Sequence, residues 1–288
     1  MSRKSAKLSW NAYGKSQVRL VKVTRAGDRH SIRDLGVSIA FEGDFDRVYT
    51  AGDNSTVLPT DTMKNTVYAL ASRHPVDPIE EFAQVLGRHF IERNPPVKTV
   101  RIDIEEHGWR RVKVGDRHHP HAFIRGSEEK RITKLRIERD GAELESGIEG
   151  LMLLKSTGSE FAGYPRDELT TLPETTDRIF ATAVSARWRY GASGTGAGSD
   201  YNGFWWAARQ ALIEAFAEHH SLSVQHTLYE MGDRVLDACP QVDEVRLTLP
   251  NKHHLLVNLK PFGLDNPNEI FVPTTEPYGL IQGTVRRS

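Results

Sequence analysis

The chain has 288 residues, and 38 Lys and Arg residues balance 38 Asp and Glu residues, so the formal net charge is zero. This balance gives no global positive field, and we expect neither a nucleic-acid partner nor attachment to an anionic membrane. A hydrophobic fraction of 38% suffices for a buried core, and the single cysteine, Cys239, excludes an internal disulfide framework and a cysteine-based zinc site.

The N-terminal residues 1–12 read as a tail, and they contain no apolar run typical of a signal peptide. No segment reaches the roughly 20 apolar residues that a transmembrane helix requires. The C-terminal residues VRRS differ from a Ser-Lys-Leu peroxisomal signal. We therefore expect a cytoplasmic protein, and a bacterial source would suit it.

The first half of the chain predicts two strands, two helices and two further strands. The first strands lie at about 17–25 and 35–49. One helix follows Thr62, and another begins at Pro78, with Asp77 as N-cap and Glu80 completing a capping box. Two-residue alternation then predicts a hairpin of strands at about 97–106 and 109–115, with its turn at His107–Gly108.

The second half predicts the same order. Strands at about 149–155 and 179–190 precede a helix that starts near Phe204 and a helix that follows Ser221. Alternating strands at about 242–250 and 254–260 come last. Between them, Gly191 to Gly203 is a Gly/Ser-rich surface loop, and it is not a P-loop because no Gly-Lys-Ser/Thr follows its glycines.

The order ββααββ therefore occurs twice, over residues 13–140 and 141–288. This predicts an α+β protein in which two units form one eight-stranded antiparallel sheet with helices on one face. A sheet of that size leaves its other face uncovered, so we expect oligomerisation.

Six places in the sequence offer candidate site residues. Thr60, Asp61 and Thr62 crowd a helix start, where capping of backbone N–H groups is favoured over the binding of an anion on this stretch alone. The cluster His118, His119 and His121 could hold a metal ion, but Pro120 and the absence of a paired carboxylate favour a structural role.

The stretch LPNKHHLL places Asn251, Lys252, His253 and His254 between two strands, where a polar turn and a reactive site are both reasonable interpretations. Elsewhere, Gln225 lies on the first turn of a helix, Arg178 precedes a strand and Phe161 lies in a loop. An aromatic face, a guanidinium fork and a carboxamide are groups that bind a flat heterocycle with carbonyl and N–H edges.

Six segments together resemble the urate oxidase (uricase) family: YGKSQVRLVKV, DNSTVLPTDTMKNTVYALA, HFIER, HHPHAFIRGSEEKR, LKSTGSEFAGYPRDELTTLPETTDRIFAT and LPNKHHLLVNL. The resemblance extends from about Tyr13 to about Val285. It implies the tunnelling fold (T-fold), in which doubled ββααββ units close into barrels, and a homotetramer with its sites at subunit interfaces. It also implies oxidation of urate by O₂ and water to 5-hydroxyisourate and hydrogen peroxide, with no metal, flavin or haem.

The resemblance further implies a role for each motif residue. Lys15, Thr60 and His253 resemble the members of a proton relay. Phe161 resembles the residue whose ring stacks under the purine. Arg178 and Gln225 resemble the two residues that grip the purine between them in the plane of its ring. Asp61 and Val224 would contribute backbone N–H groups, and Asn251 would hold O₂ or water above the ring. In the family, Lys15 and Thr60 come from one subunit and most of the others from its neighbour.

Two other classes remain alternatives. A non-catalytic purine- or pterin-binding T-fold protein is expected to have lost Lys15, Thr60 or His253, and all three are present. A metal-dependent cyclohydrolase of the same fold needs a zinc set of Cys and His, which one cysteine and the HHPH stretch supply poorly.

Overall fold

The structure, a computed structural model, describes residues 6–191, 196 and 198–288. The chain divides into two compact units, Met1–Ser146 and Gly147–Ser288. The predicted bounds 13–140 and 141–288 divide the chain by the repeat of its element order and not by its contacts. They remain a proposal. None of the helices within the described ranges is long and apolar enough to cross a membrane.

The first unit contains four long strands and three helices, and a fifth strand, β5 (Ala142–Lys155), crosses from it into the second unit. In chain order these elements are β1 (Tyr13–Ala26), β2 (Arg29–Gly43), α1 (Asp46–Ala51), α2 (Thr60–Arg73), α3 (Ile79–Arg93), β3 (Val97–Val114), β4 (Arg117–Ile137) and β5 (Ala142–Lys155). The remaining elements are β6 (Phe180–Tyr190), α4 (Tyr201–Glu218), α5 (Val224–Ala238), β7 (Val242–Asn251), β8 (His254–Leu256), β9 (Phe271–Pro273) and β10 (Gly279–Arg286).

The main sheet has eight strands in the order β1–β2–β3–β4–β5–β6–β7–β10, and β8 and β9 form a separate two-stranded sheet. The predicted α+β class with an eight-stranded antiparallel sheet is confirmed. Val100, Ile102 and Ile104 of β3 are at most 1% exposed, as their alternation predicts. Phe82 and Leu86 of α3 are fully buried, and α3 packs on β3 and β4.

A glycine lies at the same place in the last helix of each unit. Gly87 is the ninth residue of α3, and Gly232 is the ninth residue of α5. A Cβ atom would come within 2.7 Å of Leu135 Cδ2 at Gly87, and within 2.5 Å of Val285 Cγ2 at Gly232. Only a residue without a side chain permits this close approach of helix and sheet, so the two units share a packing device as well as an element order.

The hairpin predicted within residues 97–115 is wrong, because β3 runs through His107 and Gly108 without turning. Those residues mark a register irregularity between His107 and Trp109 in the pairing with β4. The chain turns instead at Gly115–Asp116, where Val114 pairs with Arg117. A Gly-Asp pair suits a two-residue turn. The strand that follows it, β4, was not predicted from the sequence.

The capping box predicted for α3 is also wrong. The helix starts at Ile79 after Pro78, and no side chain caps it. Asp77 instead forms an ion pair with Arg33. The Glu80 carboxylate is fully buried, where it accepts hydrogen bonds from Arg131 Nη2 at 2.6 Å and Ser146 Oγ at 2.5 Å.

In the second unit, the prediction of a strand at about 254–260 is wrong for most of that range. Only His254–Leu256 is extended, and it pairs with β9 outside the main sheet. The place beside β7 is taken by β10. Of the predicted loop at 191–203, residues 192–195 and 197 lie outside the described residues, and α4 begins within it at Tyr201.

Candidate functional site

The first unit holds Lys15, Thr60 and Asp61. Lys15 pairs with Ile39 on β2 next to a bulge that separates it from Val18. A bulge changes the direction in which neighbouring side chains point. Tyr13 lies two residues before Lys15, and its hydroxyl accepts a hydrogen bond from the Leu58 backbone N–H at 3.0 Å. This bond ties the segment that leads into α2, and hence Thr60, to the strand that carries Lys15.

Tyr13 is half-buried and packs against the core of the first unit. Its ring packs edge-on against Phe41 and Phe45, with centroid distances of 5.8 and 4.8 Å. Burial raises the pKa of the Tyr13 hydroxyl above its ordinary value, although the hydrogen bond from Leu58 acts in the opposite direction. Tyr13 therefore stays neutral near pH 7 and acts as a hydrogen-bonding anchor.

The start of α2 is not capped by a side chain, because its N-cap residue is Pro59. The capping interpretation of this stretch is therefore wrong. The Asp61 carboxylate does not cap the helix. It accepts hydrogen bonds from Lys64 Nζ at 2.5 Å and from Asn65 Nδ2 at 2.9 Å. The backbone N–H groups of the first turn remain available to an acceptor, which is the arrangement that binds anions at helix starts.

The charge around Asp61 matches that arrangement. The hydrogen bond and the charge of Lys64 hold the pKa of the Asp61 carboxyl below its usual value, and Asn65 and the more distant Lys15 lower it further. Two ammonium groups therefore lie near this helix start, and their charges partly offset the carboxylate.

In the second unit, Phe161 and Arg178 lie in one hydrogen-bonded segment. Phe161 exchanges backbone hydrogen bonds with Thr175 at 2.8 and 3.1 Å, and the Arg178 N–H donates to Ser159 O at 2.8 Å. These bonds place the Arg178 guanidinium over the Phe161 ring, with Cζ 5.4 Å from the ring centroid. A cation–π contact of this length holds the guanidinium close to the aromatic ring.

Arg178 is half-buried, and burial lowers the pKa of its guanidinium. Within the described part of the chain, its buried Nε atom has no hydrogen-bond partner. A buried donor without a partner costs roughly 1–3 kcal/mol. Arg178 is therefore a positioned cation whose donor capacity is left for a ligand.

The start of α5 is joined to the same segment. Glu160 N donates to Ser221 O at 2.8 Å, and Ser221 N donates to Gly158 O at 2.9 Å. Ser223 is the N-cap, and its side chain accepts the His226 N–H at 3.1 Å. The N–H groups of Val224 and Gln225 precede this cap bond, and among the described residues neither has an acceptor, so they can meet a ligand.

Asn251 and His253 lie where β7 ends, beside the start of β6. Asn251 pairs with Thr182 on β6 and Gly279 on β10. The Lys252 N–H donates to Ala181 O at 2.9 Å, and the His253 carbonyl accepts from Thr274 N at 2.9 Å. β6 begins two residues after Arg178, so the end of β7 and the segment carrying Arg178 belong to one region of this unit.

The second unit thus brings together six of the predicted site residues: Phe161, Arg178, Val224, Gln225, Asn251 and His253. The predicted structural role of the cluster at residues 118–121 is untested, but His119 and His121 do contact each other, with ring centroids 4.5 Å apart. The sequence analysis missed a different cluster, His219, His226 and Glu230. The signal for it was a His and a Glu four residues apart on α5.

The uricase family model matches residues 11–136 and 144–282. The uricase of Arthrobacter globiformis is 50% identical over 280 residues, which cover 97% of this chain and 90% of that protein. The uricase of Emericella nidulans is 40% identical over 287 residues, covering 96% and 95%.

Solved structures agree with this match. The crystal structure of the uricase from Arthrobacter globiformis has a TM-score of 0.92 at 49% identity, covering 99% of this chain and 96% of that one. A uricase structure from Bacillus fastidious has a TM-score of 0.84 at 25% identity, covering 96% and 93%.

Proposed function

The chain belongs to the uricase family, and from this premise we propose that it oxidises urate with O₂ and water to 5-hydroxyisourate and hydrogen peroxide. Two electrons leave urate and reduce O₂ to peroxide, while the oxygen of water is added to the purine ring. The observation that carries the proposal is the half-buried Arg178 guanidinium above Phe161, with its Nε donor unpaired in the described residues.

We propose that the second unit supplies the substrate-binding groups. The Phe161 ring stacks against the purine plane, and the Arg178 fork meets a carbonyl and a ring nitrogen in that plane. Gln225 contacts the opposite edge through its carboxamide, while the Val224 N–H donates to the same edge. The cap bond of Ser223 supports this role, because it leaves the first two amides of α5 unused.

The proton chemistry is assigned to Lys15, Thr60 and His253. Urate is an anion near neutral pH, and loss of a second proton gives an electron-rich dianion that can reduce O₂ directly. A threonine hydroxyl cannot remove that proton unaided, but it can pass the proton to an adjacent lysine. His253 completes the relay, and Asn251 holds O₂ or water over the ring. In this scheme the substrate supplies the electrons, so no cofactor is needed.

The two groups of residues lie in different units, which motivates a proposal about assembly. We propose a homotetramer in which two subunits close one barrel and the Lys15–Thr60 pair of one subunit meets the Phe161 and Arg178 of its neighbour. The Asp61 N–H at the open start of α2 would then reach the same ligand.

The proposed function is tested by following the loss of urate absorbance together with the release of peroxide, in protein treated with a chelator. We expect both signals at equal amounts. If the protein binds urate without consuming it, it is a non-catalytic binding protein, and the proposal is wrong.

Arg178 provides the sharper test. Loss of two hydrogen bonds from a charged donor costs about 3–5 kcal/mol, so Arg178→Ala should lower kcat/KM by roughly two to four orders of magnitude, mainly through KM. Arg178→Lys should recover little of this, because an ammonium group cannot form the fork. Arg234→Ala on α5 is the control, because its guanidinium forms a partly exposed ion pair with Glu218 at 3.6 Å. Normal urate binding by Arg178→Lys would remove Arg178 from the site.

A further inference from the structure

Three potential metal ligands meet where α4 ends and α5 begins. His219 is the residue that follows α4, whereas His226 and Glu230 lie one turn apart on α5. One ligand atom from each of the three side chains lies within 4.8 Å of the other two. His226 Nε2 and Glu230 Oε1 are 3.6 Å apart. Side chains from the end of α4 and from α5 thus converge on one point.

The two imidazole rings have nitrogen atoms that the protein does not use. Within the described ranges, His219 Nε2 and His226 Nδ1 are buried and have no hydrogen-bond partner. The rings meet edge to face, with centroids 4.4 Å apart and an interplanar angle of 81°. Buried polar nitrogens without partners are rare and indicate an absent ligand or water. Because His226 faces Glu230 through Nε2, the unpartnered nitrogen that supports a shared ligand is His219 Nε2.

We propose that His219, His226 and Glu230 bind one divalent transition-metal ion of the zinc type. Two imidazole nitrogens and one carboxylate oxygen form a ligand set that zinc prefers, and three protein ligands leave one position for water. Bond lengths of about 2.1 Å in tetrahedral geometry place ligand atoms about 3.4 Å apart. The His226–Glu230 separation of 3.6 Å is already close to this value. The other separations are at most 4.8 Å, so side-chain rotations must bring those atoms closer by up to about 1.4 Å.

The backbone around the site is already ordered by other contacts. Lys155 Nζ donates to the His219 carbonyl at 2.5 Å, and the neighbouring His220 Nε2 lies 2.9 Å from Glu160 Oε1. His219 is therefore held at the end of α4 by bonds that do not involve its ring. A preorganised ligand binds a metal ion at a smaller entropic cost than a mobile one.

An ion at this point would join the end of α4 to the first turn of α5. His226 directly follows Gln225 on that turn. Metal binding would therefore restrain the start of α5 and stabilise the second unit, without any part in the oxidation chemistry. We expect the melting temperature to rise by about 2–5 °C when zinc is present well above its dissociation constant.

The test uses the full-length protein, stripped with a chelator and dialysed, with Zn²⁺ alone as the probe. Calorimetric titration should show one ion bound per chain, and Co²⁺ should give the visible absorption of a tetrahedral site. His226→Gln and His219→Gln should each weaken zinc binding at least tenfold and abolish the rise in melting temperature, and Glu230→Gln should weaken binding less. Circular dichroism checks that the variants are folded.

His121→Gln is the matched control, because it removes an imidazole from the other histidine cluster, in which His119 and His121 are in contact. This variant should bind zinc as the parent protein does. The proposal fails if zinc does not bind, if His226→Gln and His219→Gln both bind normally, or if His121→Gln loses the ion.

Discussion

The buried carboxylate of Glu80 gives the most direct test of how the first unit is held together. Glu80 lies on α3 and is fully buried. It forms an ion pair with Arg131 at 2.6 Å, whose side chain is only 8% exposed, and accepts a hydrogen bond from the buried Ser146 hydroxyl. We expect Glu80→Ala to be among the most destabilising single substitutions in this unit.

The expected magnitude follows from the burial of both ions. Removing one partner of a buried ion pair typically costs about 3–5 kcal/mol, and the charge of Glu106 near Arg131 offsets part of this loss. Ser146→Ala removes one hydrogen bond to a charged group and should cost about 1.5–3 kcal/mol. The double variant Glu80→Leu/Arg131→Met removes both charges, so it should be destabilised by less than Glu80→Leu or Arg131→Met alone.

The assay is urea unfolding at fixed protein concentration, since an oligomer's stability depends on that concentration. Lys98→Ala is the control, because Lys98 and its partner Asp44 are both two-thirds exposed and such pairs contribute at most about 1 kcal/mol. The reasoning is refuted if Glu80→Ala is no more destabilising than Lys98→Ala. It is also refuted if the destabilisation of the double variant equals the sum of the losses in Glu80→Leu and Arg131→Met.

Three further outcomes are expected. Lys15→Met should slow turnover far more than it weakens urate binding, because Lys15 is assigned to the proton relay; an unchanged kcat in steady-state assays would remove it from the mechanism. Thr60→Ala and Arg178→Ala chains, each inactive alone, should regain roughly a quarter of wild-type sites when refolded together in equal amounts, if the sites are shared; inactivity of proven mixed oligomers would place each site within one chain. Cys239 is fully buried and its pKa is raised to about 11, chiefly by burial, so a thiol reagent at pH 8 should label it only after urea is added; rapid labelling of the native protein would contradict this.

The helices that carry a clear apolar stripe could be identified from the sequence. Met63, Val67 and Leu70 of α2 are buried as their spacing predicts, and the alternation in β3 and β7 gives the correct buried faces. These features depend on residues close together in the chain, so local periodicity is sufficient. The family was also identifiable from motifs, and the matched model and relatives confirm it.

Which strands pair, and which polar groups find partners, was decided only by the tertiary structure. Residues 107–108 resembled a turn, but the chain continues there because β4 is available to extend the ladder. β10 takes the place beside β7, because strand pairing depends on residues more than 25 positions apart in the chain. Sequence spacing does not encode such distant partners.

The candidate site shows the same division. The residue types of Phe161, Arg178 and Gln225 indicated a planar ligand, since their chemistry is independent of the fold. The unpaired Nε of Arg178 and the uncapped start of α2 became visible only in three dimensions. Glu80 likewise looked like a capping residue until Arg131 and Ser146, more than 50 positions away, surrounded its carboxylate. Side-chain chemistry is a property of the residue, whereas burial and hydrogen-bond partners are properties of the folded chain.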